Sequence, residues 1–192
     1  MENELNYISD KIEEVEHSIH LVEFGMPIGV HSKGDLLKLA LTKEVTHIVH
    51  GCNCFHAMGS GIAGLLAKRF PEIPKADRDT KSGDIKKLAS YSRAYVTEQH
   101  KFTKNMVGLT LPSVEHITHP FHCINLYTQY APGADFLPSL FPEALKLLNK
   151  DFKGKTLYFP MIGCGIGGGD WASVMQDMLK YLKDVNVVVV SL

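Results

Sequence analysis

The chain has 192 residues, 45% of them apolar and 21% charged, and a formal net charge of −1. That length holds one domain with a real core, and the near-neutral balance excludes a global field for recruiting nucleic acid or an anionic membrane. No apolar run approaches the roughly 18–20 residues that span a bilayer, and the acidic start "MENELNYISDKIEEVEHSIHLVEF" lacks the order of a signal peptide, so a cytoplasmic, reduced protein is expected.

Along the chain, Ile8, Ile12 and Val15 fall near one face and predict a helical extension over residues 1–20, outside the core pattern. "THIVHGCN" (Thr46–Asn53) reads as a buried strand ending in polar residues. "SGIAGLLAKRF" (Ser60–Phe70) puts Ile62, Leu65, Leu66 and Phe70 on one helical face, and Pro71 stops it. Lys81, Lys86, Lys87 and Arg93 form a local basic cluster, read as solvated surface. "SYSRAYVTE" (Ser90–Glu98) alternates as a strand, and residues 100–119 fit either a hairpin or a loop insertion. "FHCINLYTQY" (Phe121–Tyr130) is a further strand, and Phe136–Phe152 a helix entered at Pro142. The strand "TLYFPMIGCG", the helix "DWASVMQDMLKYLK" and the strand "NVVVVSL" follow. The unbroken run Val187–Val190 marks a strand covered on both faces. Such alternation predicts an α/β protein with a largely parallel or mixed sheet between helical layers.

Two strands end in glycine-rich loops that open helices, His50–Ala63 and Pro160–Trp171. Glycine lets a ligand approach the backbone without a β-carbon in the way, and successive N–H groups before a helix bind anions. Each charge-assisted bond of this kind contributes on the order of 1.5–3 kcal/mol, and a pair of loops suits a diphosphate. Either loop alone also fits a tight turn. Neither is a Walker loop or a Gly-x-Gly-x-x-Gly fingerprint. Cys52, Cys54, Cys123 and Cys164 lack the paired spacing of a zinc site, so neither metal nor cofactor is expected. No Cys-x₅-Arg cradle surrounds Cys54 or Cys164.

"KGDLLKLA" (Lys33–Ala40), "HIVHGCNC" (His47–Cys54), "MGSGIA" (Met58–Ala63) and "FPMIGCGIGGGDW" (Phe159–Trp171) occur in an order that resembles the macro domain family of ADP-ribose-binding modules. The resemblance implies a three-layer α/β/α sandwich with a mixed, mostly parallel sheet, as a single domain over residues 21–192. It implies that Asp35, with Leu36 beside it, receives the adenine amino group; a helix N-cap is the alternative role for that carboxylate. Met58, Gly59, Ser60, Gly61 and Ile62 match the loop on one side of the diphosphate. Ile162, Gly163, Cys164, Gly165, Ile166, Gly167 and Gly168 match the loop closing over the other phosphate and the distal ribose. Asn53 matches the asparagine that touches that ribose, and otherwise reads as a turn former.

The finer features, His-x-Cys-Asn-Cys, Gly-Gly-Asp-Trp and "NLYTQY" (Asn125–Tyr130), resemble the branch of ADP-ribose 1″-phosphate phosphatases and terminal ADP-ribose-protein glycohydrolases, in particular its bacterial and phage members. That branch implies release of phosphate from ADP-ribose 1″-phosphate. His50 is the first acid–base candidate, His56 a second, Asn53 lies beside the reacting carbon, and Asp170 orients water or a histidine. The bland alternatives are a satisfied core histidine for His50 and an N-cap for Asp170. Two positions depart from the glycohydrolases: Gln129 stands where they use a lysine, and Gly167 where they use an aspartate. Glutamine forms no Schiff base. Removal of ADP-ribose from protein, nucleic acid or an acetyl ester, and non-catalytic binding of ADP-ribose, remain as alternatives, with ADP-ribosylated macromolecules as further partners. No membrane contact and no dedicated nucleic-acid surface is expected.

Overall fold

The computed structural model describes residues 29–104 and 110–191. The helix expected over residues 1–20 lies outside them. Six strands form one sheet: β1 (Gly29–Lys33), β2 (His47–Asn53), β3 (Tyr91–Lys104), β4 (Thr110–Gln129), β5 (Thr156–Phe159) and β6 (Asn186–Ser191). Their order is β1-β6-β5-β2-β4-β3, with every pair parallel except the β3–β4 hairpin. The α-helices among the described residues are α1 (Leu36–Leu39), α2 (Gly61–Arg69), α3 (Glu72–Arg78), α4 (Phe141–Asp151) and α5 (Trp171–Tyr181). None of the described helices is long and apolar enough to cross a membrane.

The sheet is the middle of three layers, and its apolar side chains sort by strand alternation. Val49, Ile124, Leu126, Leu157 and Phe159 pack with Leu145 and Leu148 of α4 and Val174 and Met178 of α5. On the other face, Ile48, Cys123, Ala94 and Val96 pack with Leu36, Leu66 and Ile73 from α1, α2 and α3. The expectation for the C-terminal strand holds, because Val187 and Val189 enter the first cluster while Val188 and Val190 enter the second. Each fully buried side chain of this size stabilises the fold by roughly 1.5–3 kcal/mol.

Of the two readings of residues 100–119, the hairpin holds: the described residues 100–104 and 110–119 form the outer end of the antiparallel β3–β4 pair, with Lys101 opposite Ser113 and Lys104 opposite Thr110. Three other sequence expectations change. Helix α4 starts at Phe141 rather than Phe136, because Phe136 bridges to Gln129 and supports the second glycine loop. Leu65 is half-exposed and turns toward the cleft described below, leaving Leu66 and Phe70 to anchor α2 in the core. Lys87 is buried rather than solvated: its Nζ donates to Asp77 Oδ1 (3.2 Å) and to the Cys54 carbonyl (3.2 Å).

Candidate functional site

The carboxyl ends of β2, β5, β6 and β4 surround a cleft of about 630 Å³. Parallel strands in an open α/β sheet place their following loops at this edge, where ligands sit. The first wall is the start of α2. Ser60 is the N-cap in an extended conformation, yet its hydroxyl makes no capping bond. Gly64 N–H closes the first helical bond, to the Ser60 carbonyl (2.9 Å). Among the described residues, nothing accepts from the N–H groups of Gly61, Ile62 and Ala63, which line the cleft. Gly61 holds a φ of +56°, a value that costs a side-chain-bearing residue strain.

The second wall is the loop from Pro160 to Gly169. It is closed on itself by Gly169 N–H to the Gly163 carbonyl (2.8 Å) and Gly168 N–H to the Gly165 carbonyl (3.1 Å). This closure leaves the N–H groups of Gly165, Ile166 and Gly167 without an acceptor among the described residues. Gly163, at φ +77°, lies so close to Phe136 that a β-carbon would stand 2.6 Å from the ring. The two loops meet where the Ile166 side chain lies over Gly61. The cleft therefore carries two opposed rows of open amides, a donor array suited to anionic oxygens.

Of the residues singled out from sequence, Asp35, Leu36, Asn53, Ser60, Gly61, Ile62, Ile162, Gly163, Cys164, Gly165, Ile166 and Gly167 line this cleft. Asp35 does cap α1: its Oδ1 accepts from Leu37 N–H (2.9 Å) and Lys38 N–H (3.4 Å). Asn53 shapes the loop after β2, accepting from Phe55 N–H (2.9 Å) and Ala57 N–H (3.2 Å) and donating to the Ala57 carbonyl (2.8 Å). Met58, Gly59 and Gly168 sit in the loops but off the cleft wall. Met58 packs inward against the core under α2.

Three catalytic candidates stand elsewhere. His50 alternates with Gly51 on β2 and so points to the opposite face, fully buried. Its Nε2 meets Asn125 Oδ1 at 2.7 Å. Asn125 commits its amide hydrogens to the Ile73 carbonyl and Ser92 Oγ, so its oxygen accepts and His50 Nε2 carries the proton. Burial holds the imidazole below its usual titration range, hence neutral. His56 turns away from the cleft at φ +62° and bonds Thr80 Oγ1 (3.1 Å). Asp170 is the exposed N-cap of α5, accepting from Ser173 N–H and Oγ–H (2.8 Å each), and these bonds hold its carboxyl below the usual range.

Sequence reasoning did not find Thr128, Pro132 and Gly133, which complete the far wall together with Gln129. The signal available was the turn composition of "YAPGAD" directly after β4. Among the described lining residues, Asp35 is the only charged side chain. It follows β1, four strand spacings or about 19 Å across the sheet from the end of β4. The far wall itself thus carries no charged side chain among the described residues.

The sequence matches the family model described as Macro domain over residues 49–178. An uncharacterised 17.5 kDa protein from the tk-vs intergenic region of Enterobacteria phage T4 is 40% identical over 163 residues, or 82% of this chain and 92% of that one. A Bacteroides thetaiotaomicron protein of unknown function has a similar structure, with a TM-score of 0.61 at 20% identity over 85% of this chain and 98% of that chain. Thermosipho africanus DarTG, solved in complex with ADP-ribose, gives 0.60 at 16% identity over 86% of this chain and 42% of that chain. The macrodomain of Thermus aquaticus DarG gives 0.56 at 19% identity, covering 85% and 97% of the two chains. At such identities the structural likenesses speak for the fold.

Proposed function

The chain belongs to the macro domain family, and on that premise we propose that its cleft holds ADP-ribose, gripping the diphosphate between two rows of backbone amides. The observation that carries this reading is the open donor set: Gly61, Ile62 and Ala63 on one wall and Gly165, Ile166 and Gly167 on the other. Adenine would lie beside Asp35, whose second carboxylate oxygen is outside the α1 cap and free to accept from the exocyclic amino group. The distal ribose would then lie at the end of β2 and β4, against Asn53, Thr128 and Gln129.

The geometry favours binding over phosphate release. Hydrolysis of ADP-ribose 1″-phosphate needs a group to protonate or stabilise the departing sugar oxygen and a positioned water. His50, His56 and Asp170, the candidates for those tasks, are all off the cleft wall. Of the residues placed at the reacting carbon from sequence, Asn53 alone lines the cleft, and its side chain is engaged with Phe55 and Ala57.

Calorimetric titration with ADP-ribose, paired with a phosphate-release assay on the 1″-phosphate, tests the reading. Saturable binding of ADP-ribose and phosphate release no faster than in buffer are expected. Enzymatic phosphate release would replace the binding reading with the phosphatase one. Absence of ADP-ribose binding would remove both.

A further inference from the structure

The far end of the cleft is built around a β-bulge. Along β2 and β4 the register runs from His47 opposite His122 to Cys52 opposite Tyr127, then skips so that Asn53 faces Gln129. A bulge re-aims the side chains that follow it. Here Thr128 and Gln129, consecutive in sequence, both line the cleft instead of pointing to opposite faces.

Gln129 is also fixed in orientation. Its Nε2 donates to the Ala131 carbonyl (2.9 Å) and the Gly133 carbonyl (3.2 Å), which uses both amide hydrogens. The turn that supplies those carbonyls is itself clamped. Asp135 Oδ2 accepts from Tyr130 N–H (3.0 Å) and Ala131 N–H (2.6 Å), and Phe136 N–H donates to the Gly167 carbonyl (3.1 Å). Turning the amide over would set its oxygen against two carbonyl oxygens. Oε1 therefore stays on the cleft side, 3.5 Å from where a β-carbon on Gly167 would stand, with no donor from the described residues. Beside it, the Thr128 hydroxyl is buried without a partner. No cationic side chain lines this end among the described residues, and the carboxylate of Asp135 lies on the same turn.

We propose that Gln129 is a specificity-determining residue, whose fixed carbonyl oxygen accepts a hydrogen bond from a hydroxyl at the distal sugar's anomeric carbon and disfavours a phosphate there. This rests on the ADP-ribose reading above. A hydroxyl offers the hydrogen that Oε1 lacks, whereas a phosphate dianion presents oxygen against oxygen. An acceptor set against an anion, with no counter-charge, raises the free energy of the wrong complex more than it strengthens the right one.

The ratio of two affinities, measured by calorimetry in one protein sample, tests this without interference from partial unfolding. The wild-type protein is expected to bind ADP-ribose about tenfold or more tightly than ADP-ribose 1″-phosphate. Gln129→Met, which removes the acceptor at similar size, should bring the two within about threefold, and Gln129→Lys should reverse the preference. Equal wild-type affinities, a wild-type preference for the 1″-phosphate, or an unchanged ratio in Gln129→Met would overturn the inference while leaving the cleft's assignment standing. Binding of neither ligand to the wild-type protein would overturn the ADP-ribose reading and this inference with it. The wild-type ratio decides the matter even where a variant fails to fold.

Discussion

The two faces of β2 and β4 carry opposite kinds of chemistry. Toward α4 and α5, the strand ends present Gly51, Asn53, Thr128 and Gln129 to a cleft whose donors are mostly backbone amides. Toward α3, the same strands present His50, Asn125 and Tyr127 to a sealed polar network. There Tyr127 Oη donates to Asp77 Oδ1 (2.8 Å), Lys87 Nζ donates to the same oxygen, and Lys87 also sits over the Tyr127 ring at 4.3 Å. Most residue types associated with acid–base work are on the structural face, and the ligand face is nearly bare backbone. The lesson is that titratable side chains near a binding motif can serve the fold alone. A donor array made of main chain needs little side-chain chemistry, only loops held in place, and the second loop is held by its own backbone bonds and by packing on Phe136.

The strongest break of this contrast is Asp77→Ala, which takes the carboxylate partner from the buried Lys87. It should lower stability by about 3–5 kcal/mol in urea unfolding, with ADP-ribose affinity of the remaining folded fraction changed less than about twofold. A large affinity loss at unchanged stability would merge the two faces into one site. Next is Gly163→Val, which sets a β-carbon against the Phe136 ring at positive φ. Losing one or two charge-assisted bonds of about 1.5–3 kcal/mol each should weaken ADP-ribose binding at least about tenfold in calorimetry.

His50→Phe strands the Asn125 oxygen without a donor and should cost about 1–3 kcal/mol of stability while ADP-ribose affinity stays within about twofold. This variant also sharpens the pH behaviour. Because burial lowers the folded-state titration of His50 below the unfolded value of about 6.5, the unfolded chain binds the extra proton. The contribution of His50 is then whole above about pH 6.5 and declines as pH falls below it, with a slope of up to about 1.4 kcal/mol per pH unit, alongside same-sign contributions from His47 and His122, whose titration burial also lowers. His50→Phe should make the slope shallower by the His50 share, read as the urea midpoint between pH 7 and pH 5. The smallest effect is Asp170→Ala, about 1 kcal/mol in thermal or urea unfolding from loss of the α5 cap, with no change in ligand affinity.

Much of the layer architecture was legible from apolar pattern alone: the β-branched run at Val187–Val190 announced a central strand, and Phe70 and Pro71 marked the end of α2. The glycine loops were legible as a pair, because two of them at equivalent strand-to-helix junctions fit a tight turn less well than either does alone. What pattern did not supply was facing. Two-residue alternation already implies that His50 and Asn53 oppose each other across β2, and reading their chemistry together overlooked it. The bulge at Thr128 runs the other way, since it brings consecutive residues to one face and depends on pairing with a strand some 75 positions distant in sequence. Lys87 and Asp77 were equally opaque, because a buried ion pair looks like surface charge until the turn that encloses it is in place.

The most direct measurement is an ¹⁵N-amide titration of the protein with ADP-ribose. The amides of Gly61, Ile62, Ala63, Gly165, Ile166 and Gly167 should move furthest toward saturation, with those of His50, Asn125 and Asp170 moving little. Saturation with these six amides unmoved, or with the largest shifts on the His50 face, would contradict the account.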